Sequence, residues 1–487
     1  MSVEQATRYE AVIGLEVHVE LSTRTKMFCG CAIDFGGEPN VRTCPVCLGQ
    51  PGSLPVANRA AVESAIRLGL ALGCAVAPWT EFHRKNYFYP DMPKNYQISQ
   101  YDVPICAGGV LEVTVDGGKR TQVGITRVHM EEDTGKSTHV GTSGRIHGAD
   151  HSLIDYNRAG IPLLEVVSEP DIRSADEARA YLTELRAIVR ALGVSDAKLE
   201  EGSMRCDANV SLRPVGHTVF GTRVEVKNMN SLRSLGRAIE YEVARQTDLL
   251  TAGEQVVQET RHWDEGAGAT STLRAKEEVF DYRYFPEPDL VPLEPDAGWI
   301  EQLRAGLPEL PAVTRQRLTE QQGVPAEQVA TLVEADLVPT LEAAVAGGAG
   351  PVEAANWLTN ELVGWATGHG VAPADAPLDG AQLAALAALV RDGTLSTKLG
   401  RQVLEDVLAG AGSPAEVVRE RGLTQISDTD ELAALVDAAI AQNADAADQV
   451  RGGNRKAVGA LVGAVMKASK GQANPKLVNE LLMQRLT

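Results

Sequence analysis

The sequence predicts an α+β protein, with a domain built on a mixed or antiparallel sheet at the N-terminus and helices alone in the remainder. Up to about residue 298, short alternating apolar and polar runs are broken by Gly and Pro, as in strands and loops with a few helices. After a Pro-rich stretch at 285–295, Ala, Leu, Glu and Gln recur at helical spacing. We therefore expect an α+β domain at 1–298, a helical domain at 299–410 and a helical tail domain at 411–487.

Composition limits the class of protein. Hydrophobic residues make up 44% of the 487 residues and charged residues 23%, a mixture that can bury a core. The N-terminus lacks a basic patch followed by an apolar run, and no stretch approaches the roughly 20 apolar residues that span a bilayer. We expect a cytoplasmic protein that does not enter a membrane.

Two helical regions have clear boundary signals. Ser174, with Glu177 three residues later, predicts a helix start, and Gly193 predicts its end. Near the C-terminus, apolar residues from Val458 to Met466 recur on one helical stripe, and Asn474–Pro475 predicts the start of a last helix. Between these two regions, Gly/Pro breaks near 347–351, 370–377 and 410–414 separate successive helices.

The charge distribution is strongly asymmetric. The whole chain carries a net charge of -19, yet residues 451–487 contain seven basic residues and one acidic residue, a net charge of +6. The candidate RNA-binding residues in this tail are Lys456, Lys467, Lys470 and Lys476. An ordinary solvated helix face is the alternative, but the lack of balancing carboxylates favours RNA.

Four segments alternate with period two, as half-buried strands do. Their polar faces hold Glu16, His18 and Glu20 in 12–21; Arg127, His129 and Glu131 in 125–131; Arg205, Asp207, Asn209 and Ser211 in 205–213; and Arg223, Glu225 and Lys227 in 223–227. Any one of these could be a sheet face exposed to water. Together, their Glu, Asp, Asn, His and Arg side chains favour a metal-assisted phosphoryl-transfer site, with Arg127, Arg205 and Asn209 as candidate nucleotide-binding residues.

Four of the seven cysteines are closely paired. Cys29, Cys31, Cys44 and Cys47 form C-x-C, a gap of twelve residues and C-P-V-C, and two such pairs can complete a tetrahedral zinc site. A site closed by four sulfurs would be structural. We therefore predict a zinc-binding insertion at 29–47.

Two other segments are ambiguous. The sequence GKST at 135–138 resembles the end of a P-loop, but Met130 stands where the first Gly would be, so an ATP site here would have to depend on acidic metal ligands. Between Arg84 and Asp102, four tyrosines are interleaved with Arg84, Lys85 and Lys94. This segment suits base stacking and phosphate contact as well as it suits a packed Tyr-rich loop.

Several long motifs carry a family resemblance. They include VIGLEVHVEL, CPVCLGQPGSLPV, RKNYFYPDMPKNYQISQYD, HMEEDTGKSTH, EEGSMRCDANVSLRP, VEVKNMNSL and DYRYFPEPDLVPL, and the tail GALVGAVMKASKGQANPKLVNELL. Over essentially its whole length the chain resembles the B subunits of tRNA-dependent aspartyl/glutamyl amidotransferases. That resemblance implies a cradle-shaped N-terminal domain, a helical domain and a tail that contacts the tRNA body.

The resemblance also implies site residues, ligands and partners. Glu16, His18, Glu131, Glu132, Asp207 and Glu225 match the family's pocket for Mg2+ and ATP, and Lys85 matches a basic residue that lines it. The implied partners are an amidase-type A subunit, a small C subunit and a mischarged tRNA.

The implied reaction is that of a ligase that forms a C–N bond. The side-chain carboxyl of Glu-tRNA(Gln) or Asp-tRNA(Asn) is phosphorylated by ATP and then amidated with ammonia from the partner glutaminase. Two alternatives stay open: a non-catalytic tRNA-binding scaffold, and an unrelated amide ligase acting on a small molecule, which would leave the basic tail unexplained.

Overall fold

A computed structural model describes residues 8–34, 36–115, 118–141, 149–275, 282–423, 429–452, 454–469 and 472–486. Contacts between residues divide the chain into two compact units, Met1–Pro311 and Ala312–Thr487. Among the described residues, no helix is both long enough and apolar enough to span a bilayer.

The first unit contains the sheets. Its strands are β1 (Tyr9–Glu20), β2 (Ala75–Val76), β3 (His83–Asn86), β4 (Tyr96–Ser99), β5 (Cys106–Thr114), β6 (Arg120–Glu132), β7 (Lys136–Gly141), β8 (Ala149–Asp155), β9 (Pro162–Ser168), β10 (Met204–Pro214), β11 (Val224–Met229), β12 (Glu259–Asp264), β13 (Ala269–Ala275) and β14 (Phe285–Pro286). Nine of these strands form one sheet in the order β13-β12-β11-β10-β1-β9-β6-β5-β2. Within that sheet β11 and β12 pair in parallel and the other neighbours pair antiparallel, so the predicted mixed sheet is confirmed.

Helices pack on one face of this sheet. They are α1 (Arg59–Ala71), α2 (Ala175–Ala191) and α3 (Leu232–Thr251), which contact β5, β6 and β10. Leu15, Val17 and Val19 of β1 are completely buried in the resulting core. Because side chains of a strand alternate between faces, this apolar packing leaves Glu16 and His18 on the opposite face. Burying each large apolar side chain stabilises the fold by about 1.5–3 kcal/mol, which fixes the strand register.

The four predicted strands are confirmed. The predicted segments lie in β1, β6, β10 and β11, in the order 12–21, 125–131, 205–213 and 223–227. Only the end residues Leu21 and Arg223 fall outside these strands, by one position each. The predicted cap of α2 is also present, since the Ser174 side chain accepts a hydrogen bond from the Glu177 amide.

The first unit ends with α4 (Ala297–Ala305), whose Trp299, Ile300 and Leu303 pack against its core. In the second unit the helices are α5 (Pro311–Gln316), α6 (Ala326–Glu334), α7 (Val338–Ala346), α8 (Pro351–Asn356), α9 (Val363–His369), α10 (Gly380–Arg391), α11 (Thr397–Leu408), α12 (Pro414–Arg421), α13 (Thr429–Gln442), α14 (Ala444–Arg451), α15 (Val458–Ala468) and α16 (Pro475–Leu486). The predicted helical region is confirmed, and the predicted Gly/Pro breaks fall between helices. The division into three domains stays a prediction.

In the described part of the second unit, buried apolar residues form two separate hydrophobic cores. One is formed between Leu318 and Val418, and the other between Leu432 and Leu486. In the latter, Val458, Leu461 and Val465 of α15 are buried, so the predicted apolar stripe is confirmed. Asn474 accepts a hydrogen bond from the Lys476 amide at 3.0 Å and caps α16 as predicted.

Candidate functional site

The polar face of the nine-stranded sheet brings together side chains from five strands. Strand pairing places Glu16 opposite Asp207 and His18 opposite Arg205 on β10. On the other side of β1, His18 lies opposite Glu165 of β9. The antiparallel register therefore brings residues distant in sequence within reach of one another.

His18, Glu131 and Glu165 form the centre of this pocket. The His18 Nε2 atom lies 3.6 Å from an oxygen of Glu131 and 3.4 Å from an oxygen of Glu165. The three ligand atoms lie within 4.8 Å of one another. Glu131 is 4% exposed, whereas His18 keeps 20% of its side-chain surface, so the group faces an accessible side of the sheet.

Glu165 was not identified from the sequence. It bridges two histidines, because its Oε2 also lies 3.3 Å from Nε2 of His129. His129 in turn accepts a hydrogen bond at Nδ1 from Arg127 Nε, at 3.4 Å. The available signal was a lone carboxylate within the apolar run LLEVV, where an uncompensated charge is costly.

A second group of charges lies on β10 and β11, beside the first. Lys227 Nζ contacts Asp207 at 2.7 Å and Glu225 at 3.0 Å. Asn209 donates a hydrogen bond of 2.9 Å to Glu16. The sequence pattern predicts Lys227 on the polar face but not as a site residue, and in the structure its ammonium contacts both of these carboxylates.

Neighbouring carboxylates help to raise the pKa values of two residues in the pocket, Glu16 and His18. Burial and the nearby charges of Glu165 and Glu225 raise the pKa of Glu16. Burial disfavours the charged form of His18, but hydrogen bonding to Glu165 and the attraction of Glu165 and Glu131 outweigh it and raise the His18 pKa to about 9. The same negative charges that favour a proton on His18 would also stabilise a metal ion bound at its ring nitrogen.

Lys85 approaches the same group from β3. Its Nζ lies 5.0 Å from the centre of the Tyr282 ring. Burial disfavours the ammonium, but the attraction of Glu131 outweighs it, so the pKa of Lys85 is raised. The charge of Glu131 therefore acts on Lys85, and a role for Lys85 in the pocket stays a prediction.

Glu132 points away from the predicted pocket, whereas Arg205 pairs with another carboxylate. Glu132, next to Glu131 on β6, is buried on the other side of the strand, where it pairs with Lys94 and accepts a hydrogen bond of 2.9 Å from the Ile98 amide. The structure does not bring it together with the other acidic residues, because consecutive strand residues face opposite sides. Arg205 is engaged by Asp133, at 3.0 Å.

The four paired cysteines do converge. Their sulfur atoms lie within 4.8 Å of one another, as a shared tetrahedral cation requires. Lys26 Nζ lies 3.8 Å from Cys47 Sγ. A hydrogen bond from Cys29 and the charge of Lys26 lower the pKa of Cys47 to about 5, so this thiolate forms readily.

In the Tyr-rich segment, two of the three cations are used internally. Arg84 binds Glu287 through bonds of 2.7 and 2.8 Å, and Lys94 pairs with Glu132. Tyr101 stacks on Tyr284 with a centroid distance of 4.2 Å. These contacts favour the packed-loop interpretation for Arg84 and Lys94.

The tail lysines differ from all of these residues. Lys456, Lys467 and Lys476 are exposed, and within the described part of the chain no carboxylate lies at ion-pair distance from them. Lys470, the fourth predicted RNA-binding residue, lies outside the described residues.

Comparison with known proteins assigns both halves of the chain. The profile of the GatB/GatE catalytic domain matches residues 11–301, and that of the GatB domain matches residues 340–486. Curated relatives named as the B subunit of aspartyl/glutamyl-tRNA(Asn/Gln) amidotransferase include proteins of Thermobifida fusca, 58% identical over 98% of this chain and 94% of the relative, and of Frankia casuarinae, 57% identical over 98% and 96%. A relative of the same name from Mycobacterium sp. (strain KMS) is 55% identical over 98% and 96%. The chain belongs to the family of aspartyl/glutamyl-tRNA amidotransferase B subunits.

Proposed function

We propose that this chain activates the side-chain carboxylate of a tRNA-linked Glu or Asp with ATP and then amidates it, acting as a ligase in a multi-subunit amidotransferase. The observation that carries the proposal is the group of His18, Glu131 and Glu165, with Asp207 and Glu225 beside it, on the polar face of a sheet whose sequence belongs to this family.

The chemistry explains why ATP is needed. A carboxylate oxygen is a poor leaving group, so ammonia alone does not displace it. Attack of this oxygen on the γ-phosphorus of ATP forms a new P–O bond, breaks the bond to ADP and gives an acyl phosphate. Ammonia then attacks the carbonyl carbon, the C–O bond to phosphate breaks, and phosphate leaves as the nitrogen loses a proton.

The residues of the pocket fit a divalent cation. Their donor set combines carboxylate oxygens with one imidazole, and a bound cation would offset the burial and the neighbouring carboxylates that raise the pKa of Glu16. His18, Glu131 and Glu165 would hold Mg2+, with Glu16, Asp207 and Glu225 next to them. Bound Mg2+ would neutralise charge on the triphosphate.

The chain's own cations have separate tasks in this proposal. The charge of Glu131 stabilises the Lys85 ammonium, and Lys227 contacts Asp207 and Glu225, so each provides a positive charge near the acidic group. Such fixed charges stabilise the negative charge of a transferred phosphoryl group without reorganisation. Arg127 holds the ring of His129 and thereby the orientation of Glu165.

The remaining features fit the same assignment. The convergent cysteines would hold a structural Zn2+, because four sulfurs leave no coordination position for a substrate. The exposed tail lysines would contact tRNA phosphates. Ammonia would come from an amidase-type A subunit, with a small C subunit completing the complex in the cytoplasm, where thiols stay reduced.

Reconstitution tests the proposal. The chain is combined with the two partner subunits and each mischarged tRNA, and ATP hydrolysis, glutamine hydrolysis and amide formation are followed together. We expect tRNA-dependent ATP hydrolysis in step with amide formation, and both to stop when this chain is omitted. Amide formation without ATP consumption would instead support the scaffold interpretation.

A further inference from the structure

A second group of metal-type ligands lies on the small three-stranded sheet β14-β3-β4. It consists of Glu81, His83 and Asp102. His83 begins β3, where it pairs with Ser99 of β4 and with Pro286 of β14. Just before it, the Thr80 and Leu293 backbones exchange hydrogen bonds of 2.9 and 2.7 Å, so the segment that carries Glu81 and His83 is held in place.

The geometry of this group suits a cation. The His83 Nε2 atom lies 3.4 Å from an oxygen of Asp102 and 3.6 Å from an oxygen of Glu81. Ligands bound at about 2.1 Å around one tetrahedral ion lie roughly 3.4 Å apart. The same distances are too long for good hydrogen bonds to a ring N–H.

His83 is the observation that points to a ligand. It is 4% exposed, and its Nδ1 atom is buried without a hydrogen-bond partner among the described residues. Nε2, on the opposite side of the ring from Nδ1, is directed between two carboxylates, and within the described chain neither Glu81 nor Asp102 forms an ion pair with Lys or Arg.

The charged neighbour in sequence does not compensate this negative charge. Arg84 points to Glu287 and Asp289 and lies over the ring of Tyr96, 4.2 Å from its centroid. The triad thus combines two carboxylates and one imidazole, with Asp102 63% exposed and open to solvent.

We propose that Glu81, His83 and Asp102 bind a divalent ion of the Zn2+ class at a site separate from the acidic pocket and from the cysteine cluster. The acidic pocket has three more carboxylates beside its imidazole, Glu131 and Glu165, which favours Mg2+, whereas the imidazole of this smaller group favours a borderline ion. Three protein ligands leave at least one coordination position for water. The ion would join the start of β3 to the chain after β4, beside the stacked rings of Tyr101 and Tyr284.

Binding of Co2+ to the full chain tests this site. Bound Co2+ is measured by equilibrium dialysis for the wild type, His83→Gln, Asp102→Asn and His18→Gln. We expect His83→Gln and Asp102→Asn each to weaken binding of about one equivalent by roughly tenfold or more. This equivalent should lack the thiolate-to-cobalt charge-transfer absorption that marks the cysteine cluster.

Two controls complete the design. Glu254→Gln changes an exposed carboxylate of the same unit and should bind as the wild type does. The double variant His18→Gln/His83→Gln should lose one equivalent more than either single variant. Asp102→Asn alters an exposed residue, so it keeps the test valid if His83→Gln fails to fold. Wild-type Co2+ binding by folded Asp102→Asn, or a double variant that loses no more than His18→Gln alone, would overturn the proposal.

Discussion

The acidic pocket and the basic tail hold their charged side chains in opposite ways. In the pocket, strand register and neighbouring side chains fix the charges, as where Lys227 bridges Asp207 and Glu225. In the tail, Lys456 lies just before α15, and Lys467 and Lys476 are exposed on α15 and α16, whose buried faces form a small core. The pocket is organised before any ligand arrives, whereas the tail lysines offer charge alone.

This difference predicts different responses to mutation. Preorganised charges act at short range in a partly buried site, so removing one should affect chemistry strongly. Exposed lysines act additively through the release of counterions, so their removal should weaken binding in proportion to the charge lost.

The largest effect is expected in the pocket. Glu16→Gln and Asp207→Asn keep the side-chain shape but remove the negative charge, which should lower amide formation on the order of 100-fold, or about 3 kcal/mol of barrier. Amidation is measured with free ammonia, so that the partner's glutaminase is bypassed. Both variants should still assemble with the partners and bind tRNA, and near-wild-type amidation by both would assign activation to another site.

The cysteine cluster should affect stability more than chemistry. We expect one tightly bound zinc per chain, and Cys44→Ser should release it and lower the unfolding temperature while the surviving folded protein keeps its activity. Metal analysis and thermal unfolding measure this outcome. Cys74→Ser, a buried cysteine outside the cluster, is the matched control and should leave the zinc content unchanged. Finding no zinc in protein purified without chelator would contradict the assignment.

The tail should affect tRNA binding. Deletion of residues 411–487 is expected to weaken tRNA affinity and spare glutaminase activity. The deletion also removes α12, however, whose Val417 and Val418 belong to the core formed between Leu318 and Val418. The triple change of Lys456, Lys467 and Lys476 to Gln avoids this loss. In a plot of log affinity against log salt concentration, the triple variant should have a slope that is shallower by about 2 to 3. Lys398→Gln, which changes an exposed lysine on α11, is the control. An unchanged salt dependence in the triple variant would show that the three tail lysines are only solvated.

The smallest effect is expected at the start of α2. Ser174→Ala removes the cap on the Glu177 amide and should cost about 1 kcal/mol of unfolding free energy.

Glu177 also accepts hydrogen bonds from Lys119 and the Arg173 amide, which outweigh its burial and lower its pKa. This stabilisation is present above the unfolded pKa and is lost as the pH falls through the folded pKa. The wild type should therefore be more stable than Glu177→Gln at neutral pH, and the difference in unfolding free energy should shrink as the pH falls. Urea unfolding at several pH values measures this difference.

The alternation in sequence predicted much of the pocket because period two fixes the face of each residue. Glu16, His18, Glu131, Asp207 and Glu225 all came from that pattern. It could not show Glu165, whose strand is apolar on both sides, because only the pairing of β9 with β1 and β6 places it beside two histidines. The same alternation separates Glu132 from Glu131. The triad of Glu81, His83 and Asp102 depends on contacts between β3 and β4 that no local pattern encodes.

An isotope label tests most directly whether the pocket forms the acyl phosphate. Mischarged tRNA carrying 18O in the side-chain carboxylate is given to the assembled complex with ATP and free ammonia, and the released phosphate is analysed by mass spectrometry. We predict one labelled oxygen per phosphate in step with amide formation, and a loss of both on the order of 100-fold with His18→Gln. Amide formed with unlabelled phosphate, or label transfer unchanged in His18→Gln, would contradict the account.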